Sequence, residues 1–158
     1  RDVKWTPEMP DTAVFPFRSP ASAEVEKFLK TNIEDEWKWE KWQLELKFEK
    51  RASTYIRFVA GATPNVNGLG GNRITMDANQ PLDEYNVQWT IRHEFGHVLG
   101  FPDCYVEFYD ESEKVMINYQ IDTDNLMCSR RGKLQNTHYE EMKRAYQRKG
   151  IQTPIVFQ

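Results

Sequence analysis

The chain has 158 residues, which is the length of one ordinary domain with its own hydrophobic core. Hydrophobic residues make up 39% of the sequence and charged residues 28%, which excludes a disordered chain and a disulfide-dense mini-protein. Lys and Arg number 21 against 24 Asp and Glu, so the formal net charge is -3. This charge disfavours nucleic acid and anionic lipid as partners.

No apolar run approaches the roughly 20 residues that cross a bilayer, so we expect no membrane span. The first five residues lack the layout of a signal peptide. We therefore expect a soluble domain in a mature or trimmed form.

The first elements in chain order are a strand and a helix. A strand is expected at residues 3–5, and Ser19 followed by Pro20 is typical of the start of a helix. Apolar residues then recur three and four positions apart, which predicts a helix with one buried face. These residues are Val25, Phe28, Leu29, Ile33 and Trp37.

Three strands are predicted after this helix. Leu44, Leu46 and Phe48 alternate with charged residues, which is typical of a strand with one buried face. Residues 55–60 are rich in aromatic and β-branched side chains and predict a central strand. Residues 64–72 contain three glycines and predict a loop, and residues 73–77 predict another short strand.

The second half of the chain predicts two helices around an irregular segment. Residues 83–100 have a helical apolar pattern and end on Gly100, whereas residues 101–134 show no sustained periodicity. Thr137 and Glu140 have the spacing of a capping box, which predicts a last helix. Its apolar face carries Tyr139, Met142 and Tyr146.

Residues 93–103, HEFGHVLGFPD, hold the most informative pattern. His93 and His97 are four positions apart, so on a helix both imidazoles face the same metal ion. Gly100 ends the helix and turns the chain back, which lets Asp103 reach that ion as an oxygen ligand. A catalytic zinc takes three protein ligands and keeps one position for water, and Glu94 is placed to accept the proton of that water. The pattern therefore predicts hydrolysis of a peptide bond.

Alternatives exist for several of these residues. His93 and His97 could be ordinary helix residues and Asp103 a turn former, and Glu140 or Glu141 could supply the third ligand instead. The acidic residues between the motif and Met127 could bind calcium, but no EF-hand spacing is present, so a solvated loop is the preferred interpretation. These acidic residues are Asp110, Glu111, Glu113, Asp122 and Asp124.

The segment resembles the extended motif of the metzincin metalloproteases, H-E-x-x-H-x-x-G-x-x-H/D. Its form with Asp as the third ligand is most similar to the snapalysin-type small neutral proteases. Residues 125–128, Asn-Leu-Met-Cys, lie where metzincins have their Met-turn. By this resemblance Met127 forms the floor of the metal site.

The resemblance implies an α+β catalytic domain over residues 1–158. It comprises a twisted, mainly parallel sheet of about four to five strands with two long helices, followed by an irregular C-terminal part with a closing helix. The N-terminal subdomain is expected at residues 1–100 and the C-terminal subdomain at 101–158, with the cleft between them.

The resemblance also implies where a substrate binds. Residues 73–77 are expected to be the edge strand that pairs with an extended peptide, with Ile74, Thr75 and Met76 in contact with it. Residues 79–82 would border the cleft. Arg130 and Arg131 follow the Met-turn and are expected to line a pocket that selects acidic or large polar side chains; a solvated basic turn is the alternative.

Cys104 follows Asp103, and Cys128 follows Met127. If both cysteines flank the metal, they are close enough to form a disulfide, which implies an exported protein. Two free buried thiols in a cytosolic protein are the alternative. His138 and Tyr139 are expected to have structural roles in the closing helix.

The sequence therefore predicts a zinc metalloendopeptidase with one catalytic Zn²⁺, metal ligands His93, His97 and Asp103, and Glu94 as general base. Calcium is not indicated. We expect a secreted monomer that acts on protein or peptide substrates, with a zymogen propeptide or a protein inhibitor as further partners. The alternatives are a processing protease of narrow specificity and a zinc-bearing binding domain without turnover.

Overall fold

A computed structural model describes residues 2–120 and 122–147. Residues 148–158, the end of the predicted C-terminal subdomain, lie outside the described residues. The described elements are β1 (Thr12–Arg18), α1 (Ala23–Glu36), β2 (Lys38–Trp39), β3 (Trp42–Glu49), β4 (Tyr55–Val59), β5 (Asn65–Val66), β6 (Arg73–Asp77), α2 (Tyr85–Leu99), β7 (Tyr105–Asp110), β8 (Val115–Gln120) and α3 (Asn136–Tyr146). The predicted mixed α+β class is confirmed.

The first six strands form two hydrogen-bonded groups of three, β1 to β3 and β4 to β6. β1 is parallel to β3 and β4 is parallel to β6, whereas the short strands β2 and β5 are antiparallel to β3 and β6. The groups meet at β1 and β4, where the Arg18 N–H donates to the Thr54 carbonyl at 2.7 Å. The resulting order is β2-β3-β1-β4-β6-β5.

The hydrophobic core lies between this sheet and helices α1 and α2. Phe15 of β1 packs its ring edge-on against Phe95 of α2, with the ring centroids 5.0 Å apart, and Trp37 contacts the same Phe95 ring at 5.9 Å. Leu29 and Ile33 of α1 are fully buried, as the helical spacing predicted. The core therefore anchors the middle of α2.

The first strand and the start of the first helix differ from the predictions. Residues 3–5 contribute only one bridge, from Lys4 to Val14, and the first full strand is β1. The Ser19 N–H donates to the Glu49 carbonyl at 3.1 Å, so the chain at Ser19 still belongs to the sheet. Ser22 caps α1 instead, because its side chain accepts the first free backbone N–H groups of the helix.

Residues 73–77 form a strand, as predicted, but this strand does not lie at the edge of the sheet. β6 lies inside the sheet, because residues 65 and 66 pair with Thr75 and Ile74 on its outer side. Ile74, Thr75 and Met76 are each at most 2% exposed and pack into the interior. The loop predicted at residues 64–72 thus contains β5, the outermost strand.

The segment expected to be irregular contains an antiparallel hairpin. β7 and β8 pair from Tyr105 with Gln120 to Asp110 with Val115. The turn between them places Lys114 in the left-handed region at φ 56°. A hairpin was not predicted, although both strands are rich in aromatic and β-branched residues.

The closing helix α3 is capped differently from the prediction. Gln135 precedes it, and the Gln135 N–H donates to Nδ1 of His138 at 2.9 Å, so Thr137 and Glu140 do not form the capping box. Met142 is 1% exposed and Tyr139 packs against Trp5, as the apolar pattern predicted. No helix in the described ranges 2–120 and 122–147 is long and apolar enough to cross a membrane.

Candidate active site

Helix α2 carries the residues of the candidate metal site on its buried side. It ends at Gly100, whose φ of 107° is left-handed, as predicted for a glycine that stops the helix. The Phe101 N–H donates to the Gly96 carbonyl at 2.9 Å and closes the last turn. The chain therefore reverses direction directly after His97 and leads towards Asp103.

Backbone carbonyls fix the orientation of both imidazole rings. His93 Nδ1 lies 2.9 Å from the Leu126 carbonyl, and His97 Nδ1 lies 2.7 Å from the Phe101 carbonyl. With Nδ1 as the donor in each ring, both Nε2 atoms keep a free lone pair. Burial lowers the pKa of His93 below its ordinary value, which favours the neutral ring that a metal ion requires.

The Asp103 carboxylate meets both imidazoles. Its Oδ1 atom lies 2.9 Å from His93 Nε2 and 3.1 Å from His97 Nε2. Ligand atoms that each lie about 2.0–2.2 Å from a zinc ion are roughly 3 Å apart, so the separation of Asp103 from each histidine suits two ligands of one ion. The nitrogen and oxygen donors are also those that zinc accepts.

Glu94 lies beside these three residues and is 4% exposed. Potential ligand atoms of His93, Glu94 and His97 lie within 4.8 Å of one another. Burial raises the pKa of Glu94 to about 8, an effect that the positive charge of Arg130 opposes.

Met127 lies beneath the metal-site helix, where it is 2% exposed. A Cβ atom on Gly96 would overlap the Met127 sulfur, so glycine at position 96 allows the thioether to approach α2. The turn around Met127 is closed by its N–H, which donates to Oδ1 of Asn125 at 2.8 Å. Met127 therefore lies in a tight turn that packs against α2.

A cleft of about 720 Å³ opens over the site. It brings together all the predicted metal-site residues with Arg130 and Arg131, but not Ile74, Thr75 or residues 79–82. The lining residues are Thr63, Pro64, Asn65, Val66, Asn86, Trp89, His93, Glu94, His97, Asp103, Cys128, Ser129, Arg130 and Arg131. Met76 and Gln80 line an adjoining pocket of about 240 Å³ instead.

Sequence reasoning missed two groups of cleft residues. Asn86 and Trp89 precede His93 by seven and four positions, so helical spacing places them on the same face of α2. This signal was available. For residues 63–66 the sequence carries no such signal, because no pattern in a two-residue strand indicates which strand it pairs with.

An aromatic and a basic side chain meet in the wall of the cleft. The Arg131 guanidinium lies 4.7 Å from the centre of the Trp89 ring, a cation–π contact. Tyr85 stacks on Trp89 at 5.8 Å and is 73% exposed. Within the described part of the chain, Arg130 and Arg131 form no ion pair with a carboxylate.

The structure contains a Cys104–Cys128 disulfide at the edge of the site, with the two Cα atoms 4.5 Å apart. The Cys104 N–H also donates to the Met127 carbonyl at 3.1 Å. The segment that carries Asp103 is therefore joined directly to the turn that carries Met127.

The alternative ligands do not reach the cleft. Glu140 and Glu141 are on α3, away from the cleft lining, and Glu141 pairs with Arg144. Asp110 and Asp122 accept hydrogen bonds from backbone N–H groups of their own turns. Asp110 is the last residue of β7, so this part of the segment is a hairpin and not the predicted loop.

The fold of this chain is shared with a protein of solved structure. The structure of myroilysin is similar to this chain, with a TM-score of 0.54 and 12% sequence identity over 84% of this chain and 92% of myroilysin. At this identity the match shows a common fold and no more. No protein-family model matches the chain, and no curated protein matches it in sequence.

Proposed function

We propose that the protein is a zinc-dependent endopeptidase with His93, His97 and Asp103 as metal ligands. One observation carries this proposal: Oδ1 of Asp103 lies within 3.1 Å of both Nε2 atoms, beside Glu94, in an open cleft. The Nδ1 atom of each histidine already contacts a carbonyl oxygen. A purely structural role does not explain why both Nε2 atoms also meet one carboxylate. The fold shared with myroilysin agrees with a peptidase.

The chemistry divides between the metal and Glu94. His93, His97 and Asp103 would hold the zinc ion, which would polarise the substrate carbonyl and activate water. Glu94 would accept the proton of the attacking water and then pass it to the leaving amine.

The outer edge of the sheet supports binding of an extended peptide. β5 is the last strand next to β6, and residues 63–66 line the cleft. A strand at the edge of a sheet has free N–H and C=O groups on its outer side, and a peptide pairs with these groups by strand addition. Peptide pairing, which the sequence predicted for residues 73–77, is therefore assigned to residues 63–66 in this proposal.

The basic residues of the cleft favour a particular class of peptide. Arg130 and Arg131 are exposed in the cleft without a carboxylate partner among the described residues. A guanidinium binds a carboxylate through two parallel N–H groups. We expect peptides with Asp or Glu near the scissile bond to be the preferred substrates.

The disulfide supports an exported protein, because such bonds persist in oxidising compartments. A secreted monomer with a propeptide or a protein inhibitor remains our expectation for its biology. The narrow processing protease and the zinc-bearing binding domain without turnover are the alternatives.

The test is cleavage of unfolded casein and of a mixed peptide library by the purified protein. Glu94→Gln and a zinc chelator are the controls. We expect cleavage by the wild type that is lost with chelator and lost in the variant, although the variant retains its zinc. Bound zinc without any cleavage would favour the processing enzyme or the binding domain, whereas a wild type that binds no zinc would overturn the proposal.

A further inference from the structure

The three proposed metal ligands differ in what holds them in place. His93 and His97 belong to α2, and their Nδ1 atoms contact carbonyl oxygens at 2.9 and 2.7 Å. Asp103 lies outside any helix or strand, three residues beyond the end of α2 at Gly100. Its placement therefore depends on contacts made by its neighbours in the chain.

The Asp103 side chain provides little of this support itself. It is 34% exposed, and its polar contacts among the described residues are with His93 and His97. The next residue, Cys104, is held in two ways. Its N–H donates to the Met127 carbonyl, and its sulfur is bonded to Cys128.

The other end of the disulfide is firmly anchored. Leu126 and Met127 are at most 2% exposed, and the Leu126 N–H donates to the Lys133 carbonyl at 3.1 Å. The Cys128 N–H donates to the Asn125 carbonyl at 3.0 Å. The covalent bond therefore ties the segment that carries Asp103 to a buried turn.

A hairpin lies between the two cysteines. It begins at Tyr105, directly after Cys104, and its strands pair with each other along their whole length. Near its tip, Tyr109, Val115 and Met116 are 53%, 49% and 64% exposed. A single residue, Cys104, separates the hairpin from Asp103, and without the disulfide only the hydrogen bond from the Cys104 N–H to the Met127 carbonyl would hold that residue to the turn.

We propose that the Cys104–Cys128 disulfide positions Asp103 for metal binding and that its reduction releases this ligand, so that the metal site is sensitive to redox conditions. This inference rests on the proposed zinc site. Cys104 and Cys128 are positioning residues, because they act through Asp103. Cys128 is 4% exposed and lines the cleft, whereas Cys104 is partly exposed.

The redox step consumes two electrons and two protons. A dithiol supplies both: the S–S bond breaks, the two cysteines become thiols, and the dithiol is oxidised to a disulfide. Reoxidation by disulfide exchange restores the bond. The device needs no other co-reactant.

The test measures zinc affinity by competition with a chromophoric chelator. The Cys104→Ser, Cys128→Ser double variant lacks both the bond and the thiols, which could themselves bind zinc. We expect its affinity to be about 10- to 100-fold weaker than that of the oxidised wild type, the range observed when the support of a metal ligand is removed. Near-ultraviolet circular dichroism checks that the variant is folded.

Asp103→Ala distinguishes positioning from general loosening of the structure. In this background, removal of the disulfide should change zinc affinity by less than about twofold, since the residue through which it acts is gone. An equal loss with and without Asp103 would overturn the inference. So would unchanged affinity in the folded double variant.

Wild-type protein reduced with a phosphine and desalted without oxygen provides the second measurement. The phosphine is oxidised to its oxide with oxygen from water, and it avoids the strong zinc binding of dithiols. Weaker zinc binding by folded, reduced protein that recovers on reoxidation supports the inference. Unfolding of both the reduced protein and the double variant would make the disulfide a folding crosslink and overturn it, whereas an oxidised wild type without zinc affinity would contradict the proposed function instead.

Discussion

Gly96 of α2 packs directly against the side chain of Met127. A Cβ atom at position 96 would overlap the Met127 sulfur and would lie 2.9 Å from its methyl carbon and 3.2 Å from Cζ2 of Trp37. The glycine thus sits between the two histidines for a steric reason. Helix α2 tolerates its weak helix propensity because the thioether fills the space.

Gly96→Ala should therefore destabilise the protein, although the same change in an exposed helix stabilises it by up to about 1 kcal/mol. We expect the free energy of unfolding to fall by about 1–3 kcal/mol, the usual cost of overpacking a core. Urea unfolding of wild type and variant measures this difference.

Met127→Ala provides the matched control for this prediction. It removes the side chain with which the new methyl group collides, so Gly96→Ala should cost less in a Met127→Ala background. If the two costs simply add, the steric explanation is wrong.

Local patterns in the sequence predicted the position of α2 and its end at Gly100. The spacing of His93 and His97 needs only a helix, and Gly100 ends that helix through its own backbone freedom. Both features depend on residues within one or two turns of each other. The roles of these residues in metal binding and catalysis remain predictions.

The errors came from contacts between distant parts of the chain. Ser19 does not start α1 because its N–H pairs with Glu49, thirty residues away. β6 is not an edge strand because residues 65 and 66 pair with its outer side. A two-residue strand has no periodicity, so the sequence carries no signal for the pairing that decides which strand faces the cleft.

His138 should make the stability of the protein depend on pH. Burial lowers its pKa in the folded state, and Asp122 opposes this shift only in part. Below the unfolded pKa of about 6.5, the unfolded chain therefore binds more protons than the folded one. Stability is full above that pH, falls as the pH drops towards the folded pKa, and changes no further below it.

His138→Gln should flatten this part of the stability curve, because glutamine does not titrate and its oxygen can still accept the Gln135 N–H. Urea unfolding in the presence of chelator between pH 5 and 8 measures the curve. The pKa of His93 is also lowered by burial, so the wild type and variant must be compared directly. Parallel curves would contradict the prediction.

Arg131 should set the substrate preference. Arg131→Gln removes the positive charge that Trp89 holds in the cleft, and we expect kcat/KM for peptides with Glu near the scissile bond to fall about tenfold. Otherwise identical peptides with Gln should be cleaved at an unchanged rate. Arg144→Gln, on α3 and outside the cleft, is the control and should leave both rates unchanged. An equal fall in kcat/KM for both peptides would show that Arg131 does not recognise the charge of the substrate.

Glu36 should be the most sensitive charged residue outside the cleft. It is 5% exposed, accepts the Leu134 N–H at 2.8 Å, and pairs with Arg92 of α2 at 3.3 Å. Glu36→Ala leaves both partners without this acceptor, and we expect a loss of about 3 kcal/mol in the free energy of unfolding. Lys133→Ala removes the exposed third partner and should cost less than about 1 kcal/mol. Because Leu134 follows the turn that carries Met127, Glu36 of α1 joins that part of the chain to α2. A loss from Glu36→Ala no larger than that from Lys133→Ala, measured by urea unfolding, would show that this buried network adds nothing to stability.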